Sequence, residues 1–156
     1  MLRRYALLWF LLAAFAAGAI GAAATFPSVT TWYLTLHKPA WTPPDWIFGP
    51  VWTFLYFAMA IATWRVWRKA SLADDRAIIR FYGVQLLFNA SWSVLFFGLH
   101  RPGWALVDIL ALWGVLVSML VIFIRADRVA GTLWLAYVAW VSFATALNAA
   151  VWSLNP

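Results

Sequence analysis

Cysteine is absent from the 156-residue chain. Disulfides, thiolate metal sites and cysteine nucleophiles are therefore excluded. Charge is scarce as well, with only 10% of residues charged and five acids in all. No glycine-rich phosphate loop, HExxH or nucleophile motif is present, so nothing in the residues argues for hydrolysis or phosphoryl transfer. No internal repeat, low-complexity tail or domain-dividing linker is visible. What remains is apolar: 66% of the chain is hydrophobic, more than a soluble domain of this size can hide from water.

Lipid is the alternative solvent. Uncharged stretches run over Tyr5–Thr25, Ile47–Trp64, Phe81–Leu99 and Val129–Pro156, and Gly103–Ile124 contains only Asp108. Each approaches the ~20 residues a helix needs to cross ~30 Å of hydrocarbon, and helices satisfy their own backbone there. The expectation is an all-α membrane protein, a bundle of five transmembrane helices in one domain, 1–156. The spans fall at about 5–25, 47–66, 79–99, 103–124 and 129–152, with a long outer loop at 26–46. The link at 65–80 reads as two helix ends around a turn. The first span could be mistaken for a signal peptide, but its length and its small residues Ala14, Ala17, Gly18, Gly21 and Ala22 suit close packing in a bundle.

The net charge of +6 is a matter of topology rather than of nucleic acid. Nine cations, Arg3, Arg4, Arg65, Arg68, Lys69, Arg76, Arg80, Arg125 and Arg128, fall at one set of span ends; Lys38 and Arg101 fall at the other. That bias places the N-terminus in the cytoplasm and the C-terminus outside. A bacterial cytoplasmic membrane is the default setting.

Three spans carry mixed stripes at helical spacing. They are Phe48, Trp52, Tyr56 and Met59; Gln85, Asn89, Trp92 and Phe96; and Tyr137, Trp140, Ala144 and Asn148. Amides avoid lipid, so Gln85, Asn89 and Asn148 should face inward. Two readings stay open: interhelical hydrogen bonds with aromatic filler, or a cavity. A cavity with such walls favours a large, flat, mostly apolar guest such as a porphyrin or sterol. Asp108, the one acid within a span and near its outer end, either marks a function or accepts hydrogen bonds from a neighbouring helix, and the structural role is the favoured reading. His37 and His100 read as ordinary loop histidines, and no metal site is expected.

With those faces in view, the chain closely resembles the TspO/MBR family, the tryptophan-rich sensory proteins related to the translocator protein (the peripheral-type benzodiazepine receptor). The matching pieces run in order: WY at 32–33, KPAWTPPDWIFGPVWTFLYFAM at 38–59, QLLFNASW at 85–92, FFG at 96–98, WALVD at 104–108 and AWVSFATALN at 139–148. The resemblance implies five transmembrane helices, usually paired as a homodimer, around a pocket for porphyrins such as protoporphyrin IX or haem, with no required cofactor. It puts Trp52, Asn89, Trp92, Trp104, Trp140 and Ala144 at pocket-lining positions. Trp41, Phe48, Tyr56 and Asn148 join them as expected ligand contacts. The proline-rich loop would be a stiff lid, with Trp41 and Trp46 helping to close it.

A sensor that regulates tetrapyrrole levels is the first functional reading. Light-driven porphyrin breakdown, with Trp52 and Trp140 as candidate catalytic residues, is the second, and porphyrin transport the third; a structural scaffold ranks last. Cholesterol binding is doubtful, because Ala149 stands where the vertebrate motif has tyrosine and no basic residue follows.

Overall fold

The computed structural model describes residues 2–155; the side chains of 2–4, 72 and 73 lie outside the described residues, so the charges of Arg3 and Arg4 are placed by sequence alone. Helix α1 runs over Leu2–Val29, the short α2 over Trp32–Thr35, and a 3-10 turn over Asp45–Ile47. The long helices α3 (Phe48–Lys69), α4 (Leu72–Ser93), α5 (Pro102–Ala126) and α6 (Arg128–Leu154) follow, and a π turn over Val94–Gly98 extends α4. No strand occurs among the described residues.

Four helices are long and apolar enough to cross a membrane: α1, α3 with its leading turn, α5 and α6. The expected count of five is not reached on these terms. Helix α4 is the exception because it carries Asp74, Asp75, Arg76 and Arg80 early and Gln85 and Asn89 in its interior. Asp74, Arg76 and Arg80 stay exposed at the end of the helix, while Gln85 and Asn89 turn inward and do the joining described below.

The first helix also outruns its expected end at residue 25, continuing through Pro27 to Val29. Pro27 has no N–H to give the carbonyl four residues back, and the helix continues through it for two more residues. The small-residue stripe of α1 does pack closely. Ala14 and Ala17 are buried, Gly21 faces the Ser93 hydroxyl, and Gly18 lies against the Tyr56 ring. A Cβ on Gly18 would stand 2.6 Å from Tyr56 Cε2, so Gly18→Ala must push the phenol aside. The expected result is about 1–3 kcal/mol of destabilisation, the usual range for overpacking, read as a lower thermal midpoint. Gly18→Ala combined with Tyr56→Leu should recover much of it.

Helices α5 and α6 form the tightest pair. A single residue, Asp127, separates them, and it caps α6 by accepting from the Ala130 amide at 2.9 Å. Its carboxylate also takes a fork from Arg65, Nε to Oδ1 and Nη2 to Oδ2, both 3.0 Å, and an ion pair with Lys69 at 2.6 Å. Bonds from Arg65, then Lys69, then the Ala130 amide hold the Asp127 carboxyl well below the usual carboxylate range. A depressed folded-state value means the stabilisation is whole above the ordinary pKa of about 3.9 and fades as pH falls below it. Asp127→Asn should therefore unfold at lower temperature than wild type at pH 7. The gap should narrow as unfolding is repeated between pH 4 and pH 2. A constant gap would deny the ionic origin.

At the opposite end, the segment after α2 is tied at both sides. Asn155 accepts from the His37 amide at 3.0 Å and donates to the His37 carbonyl at 2.9 Å. Lys38 Nζ donates to the Tyr33 carbonyl at 2.9 Å and sits 4.0 Å over the Tyr33 ring.

Candidate functional site

The three sequence stripes meet in the middle of the bundle through a chain of hydrogen bonds. Tyr56 of α3 donates to Asn89 Oδ1 of α4 at 2.9 Å, and Asn89 Nδ2 donates to the Tyr137 hydroxyl of α6 at 3.0 Å. Tyr137 donates in turn to Gln85 Oε1 at 3.0 Å, and Gln85 Nε2 reaches Met59 Sδ at 3.7 Å. Gln85, Asn89 and Tyr137 are buried, and the run of bonds leaves their polar atoms paired, as a low-dielectric interior demands. Nearer the loop end, Trp92 Nε1 donates to Asn148 Oδ1 at 2.9 Å, and Asn148 Nδ2 donates to the Pro102 carbonyl at 2.8 Å. One amide thus fastens α4, α5 and α6 together.

Between these two polar layers lies a cavity. Trp52, Asn89, Trp92 and Ala144 bound it, with Ile109, Leu112 and Val141 completing the wall. Its volume is about 10 Å³, room for about one water and far below the ~300–1,000 Å³ of a drug-sized ligand site. Aromatic rings fill the surrounding space. Trp52 stacks on Tyr56 at 5.7 Å and meets Tyr137 edge-on at 6.3 Å, while Trp92 stacks on Phe96 at 5.2 Å. A planar guest would take the place these rings now occupy.

The other expected contacts are distributed unevenly. Phe48 and Trp140 meet at 5.8 Å, Trp140 meets Phe143 at 5.5 Å, and Phe143 meets Trp41 at 5.8 Å, forming an aromatic patch beside the cavity rather than in its wall. Trp140 Nε1 is buried there without a hydrogen-bond partner. Trp46 stands 73% exposed, so of the two indoles expected to close the lid only Trp41 packs on the bundle, against Phe143. Trp104 is not brought to the cavity: it is 67% exposed. Its neighbour Ala105 begins the buried stripe of α5, and one residue around a helix is about 100°.

Asp108 accepts from the Ser91 hydroxyl of α4 at 2.6 Å, the cross-helix role its position suggested. His100 stacks on Trp32 at 4.2 Å, with Nε2 3.1 Å from the Ser28 hydroxyl. No cluster of three His, Cys, Asp or Glu exists among the described residues.

Sequence reasoning missed two contributors. Ile109, Leu112 and Val141 look like any lipid-facing aliphatics until α5 and α6 are placed. The π turn at Val94–Gly98, closed by Leu99 N to Val94 O at 2.8 Å, has no marker in VLFFG. It is a deviation often found near functional positions, and it carries Phe96 and Phe97 into the aromatic cluster around Tyr33 and Trp92.

The fold and this interior define a class: an integral membrane protein of long helices whose centre is polar, aromatic and closed. The TspO/MBR family model matches residues 10–153, and the chain belongs to that family. It is 43% identical over 145 residues to the tryptophan-rich protein TspO of Archaeoglobus fulgidus, covering 93% of this chain and 94% of that one. The human translocator protein is 39% identical over 126 residues, covering 80% and 75%. The tryptophan-rich sensory protein of Cereibacter sphaeroides is 39% identical over 124 residues, covering 80% and 77%.

Proposed function

We propose that the protein binds porphyrins and related tetrapyrroles within the bundle and regulates their level or movement as a membrane sensor. The observation that carries this reading is the convergence of Trp52, Asn89 and Trp92 on one interior cavity. Indole faces stack on a flat macrocycle and an amide fixes its edge. Because the cavity is nearly filled, binding requires ring displacement. The aromatic patch of Phe48, Trp140, Phe143 and Trp41 is the softest side, since its indole N–H at Trp140 forfeits no hydrogen bond on moving. Family membership and the sensory and translocator names of its relatives support the same reading.

In this reading α4, 22 residues extended by the 5 of the π turn, is the fifth span, with Gln85 and Asn89 sheltered by its neighbours and its charged residues gathered in its first turns. The charge bias supports an N-terminus in the cytoplasm of a bacterium and a C-terminus outside. The working unit is a homodimer.

The test is titration of purified protein with protoporphyrin IX in the dark, followed by quenching of tryptophan fluorescence. Saturable quenching is expected, weakened about tenfold in Asn89→Ala by loss of roughly one hydrogen bond to the guest. Trp140→Phe should weaken it less, since ring area is largely kept. Linear quenching identical in all variants would mean partition into detergent and would sink the proposal. Illumination of the same sample tests breakdown: pigment loss abolished by Trp52→Phe would favour the enzymatic alternative.

A further inference from the structure

At the end of the bundle remote from the proline-rich loop, a second cavity of about 180 Å³ is lined by Arg65, Arg68, Lys69 and Asp127. Three cations face it against one acid. That acid is already engaged on both oxygens, by Arg65, by Lys69 and by the Ala130 amide, so it holds two of the cations in fixed positions while leaving part of their donor capacity free. Arg65 gives Asp127 its Nε and one N–H of Nη2; the remaining N–H groups of its fork are uncommitted. Arg68 has no carboxylate partner among the described residues, and its guanidinium carbon lies over the Trp64 ring, 4.5 Å from its centre.

A cleft with surplus positive charge and an arginine fork suits a phosphate oxygen pair. Its depth identifies the source. The apolar helices end here, at Lys69, at Ala126 and at Arg128, and Trp64 is a half-buried indole at the level where such rings meet the headgroups. We infer that this cleft binds the phosphate of an anionic phospholipid, with Arg68 as its principal ligand and Arg65 and Lys69 completing the cradle. The lipid would rest against the α3, α5 and α6 ends and tie their junction to the membrane surface.

The decisive experiment is thermal unfolding of the detergent-solubilised protein during titration with dioctanoyl phosphatidylglycerol, dioctanoyl phosphatidylcholine or inorganic phosphate. Phosphatidylglycerol alone should raise the midpoint saturably. Arg68→Gln, which leaves the Arg65–Asp127–Lys69 group intact, should require about fivefold more of it. Arg80→Gln, a cation outside the cleft, should behave as wild type. Equal response to phosphatidylcholine would overturn the headgroup assignment. Equal weakening by both variants would reduce it to diffuse surface charge. Matching stabilisation by inorganic phosphate would make the ligand a soluble anion and refute the lipid.

Discussion

Gly131→Leu should yield little folded protein, and Gly131→Ala should already lower the thermal midpoint clearly. A Cβ at Gly131 would lie 2.8 Å from Ile124 Cα and 3.1 Å from Ile124 N. These are backbone atoms of the facing helix, which no rotamer change can move. The closeness is forced by the turn, since one residue between α5 and α6 leaves the last turn of α5 against the first turn of α6. Alanine should cost at least the ~1–3 kcal/mol of ordinary core overpacking, because relief requires parting the whole α5–α6 pair. The measurement is unfolding temperature and yield in matched detergent. Wild-type behaviour of Gly131→Ala would mean the pair separates freely. Gly114 provides the control: it meets no atom within 4 Å, so Gly114→Ala should be neutral or slightly stabilising through helix propensity.

Tyr137→Phe should be the most damaging loss of a single atom. The hydroxyl accepts from Asn89 and donates to Gln85, and the ring has no solvent exposure. Removing it orphans one amide donor and one amide acceptor in the closed interior of the bundle. Each orphan costs about 1–3 kcal/mol in a buried site, though cross-helix bonds measured in membranes average nearer 0.6. A total of about 1–3 kcal/mol is therefore expected. Tyr56→Phe removes one donor from the same chain of bonds and should cost less. The double variant should fall short of the sum, because both phenols share Asn89. Strict additivity would show that the bonds act independently rather than as one network. Both variants also bear on ligand binding, since a freed Asn89 amide could turn to a guest; dark protoporphyrin titration of Tyr56→Phe reads that directly.

Several features were legible because they depend on solvent preference and period alone. Charge-free runs located the long helices, and 3.6-residue spacing aligned Tyr56, Asn89 and Asn148 on inward faces. The link around residue 70 was equally plain, since α3 stops at Lys69 and Ser71 caps α4 by accepting from Asp74 N. Helix ends near the loop were less so, because Pro27 suggests a break that the last turns of α1 tolerate. Asp127 passed unremarked among arginines, as nothing in RADRV says which distant cations it will meet. Gly131 looked like any small residue of a membrane helix.

Composition and periodicity by themselves determined that this chain is a helical membrane protein and which side chains avoid lipid, since burial of polar groups and solvation of charges follow from residue type. The tertiary structure alone decided how those faces engage: that four polar side chains close into one network, that the interior is nearly full, that Trp104 points away, and that Arg65, Arg68 and Lys69 surround one cleft. Such outcomes depend on the rotation and approach of one helix against another. Those are fixed by contacts between residues far apart in sequence, such as Gly131 with Ile124 across the turn and Gly18 with Tyr56 across the bundle.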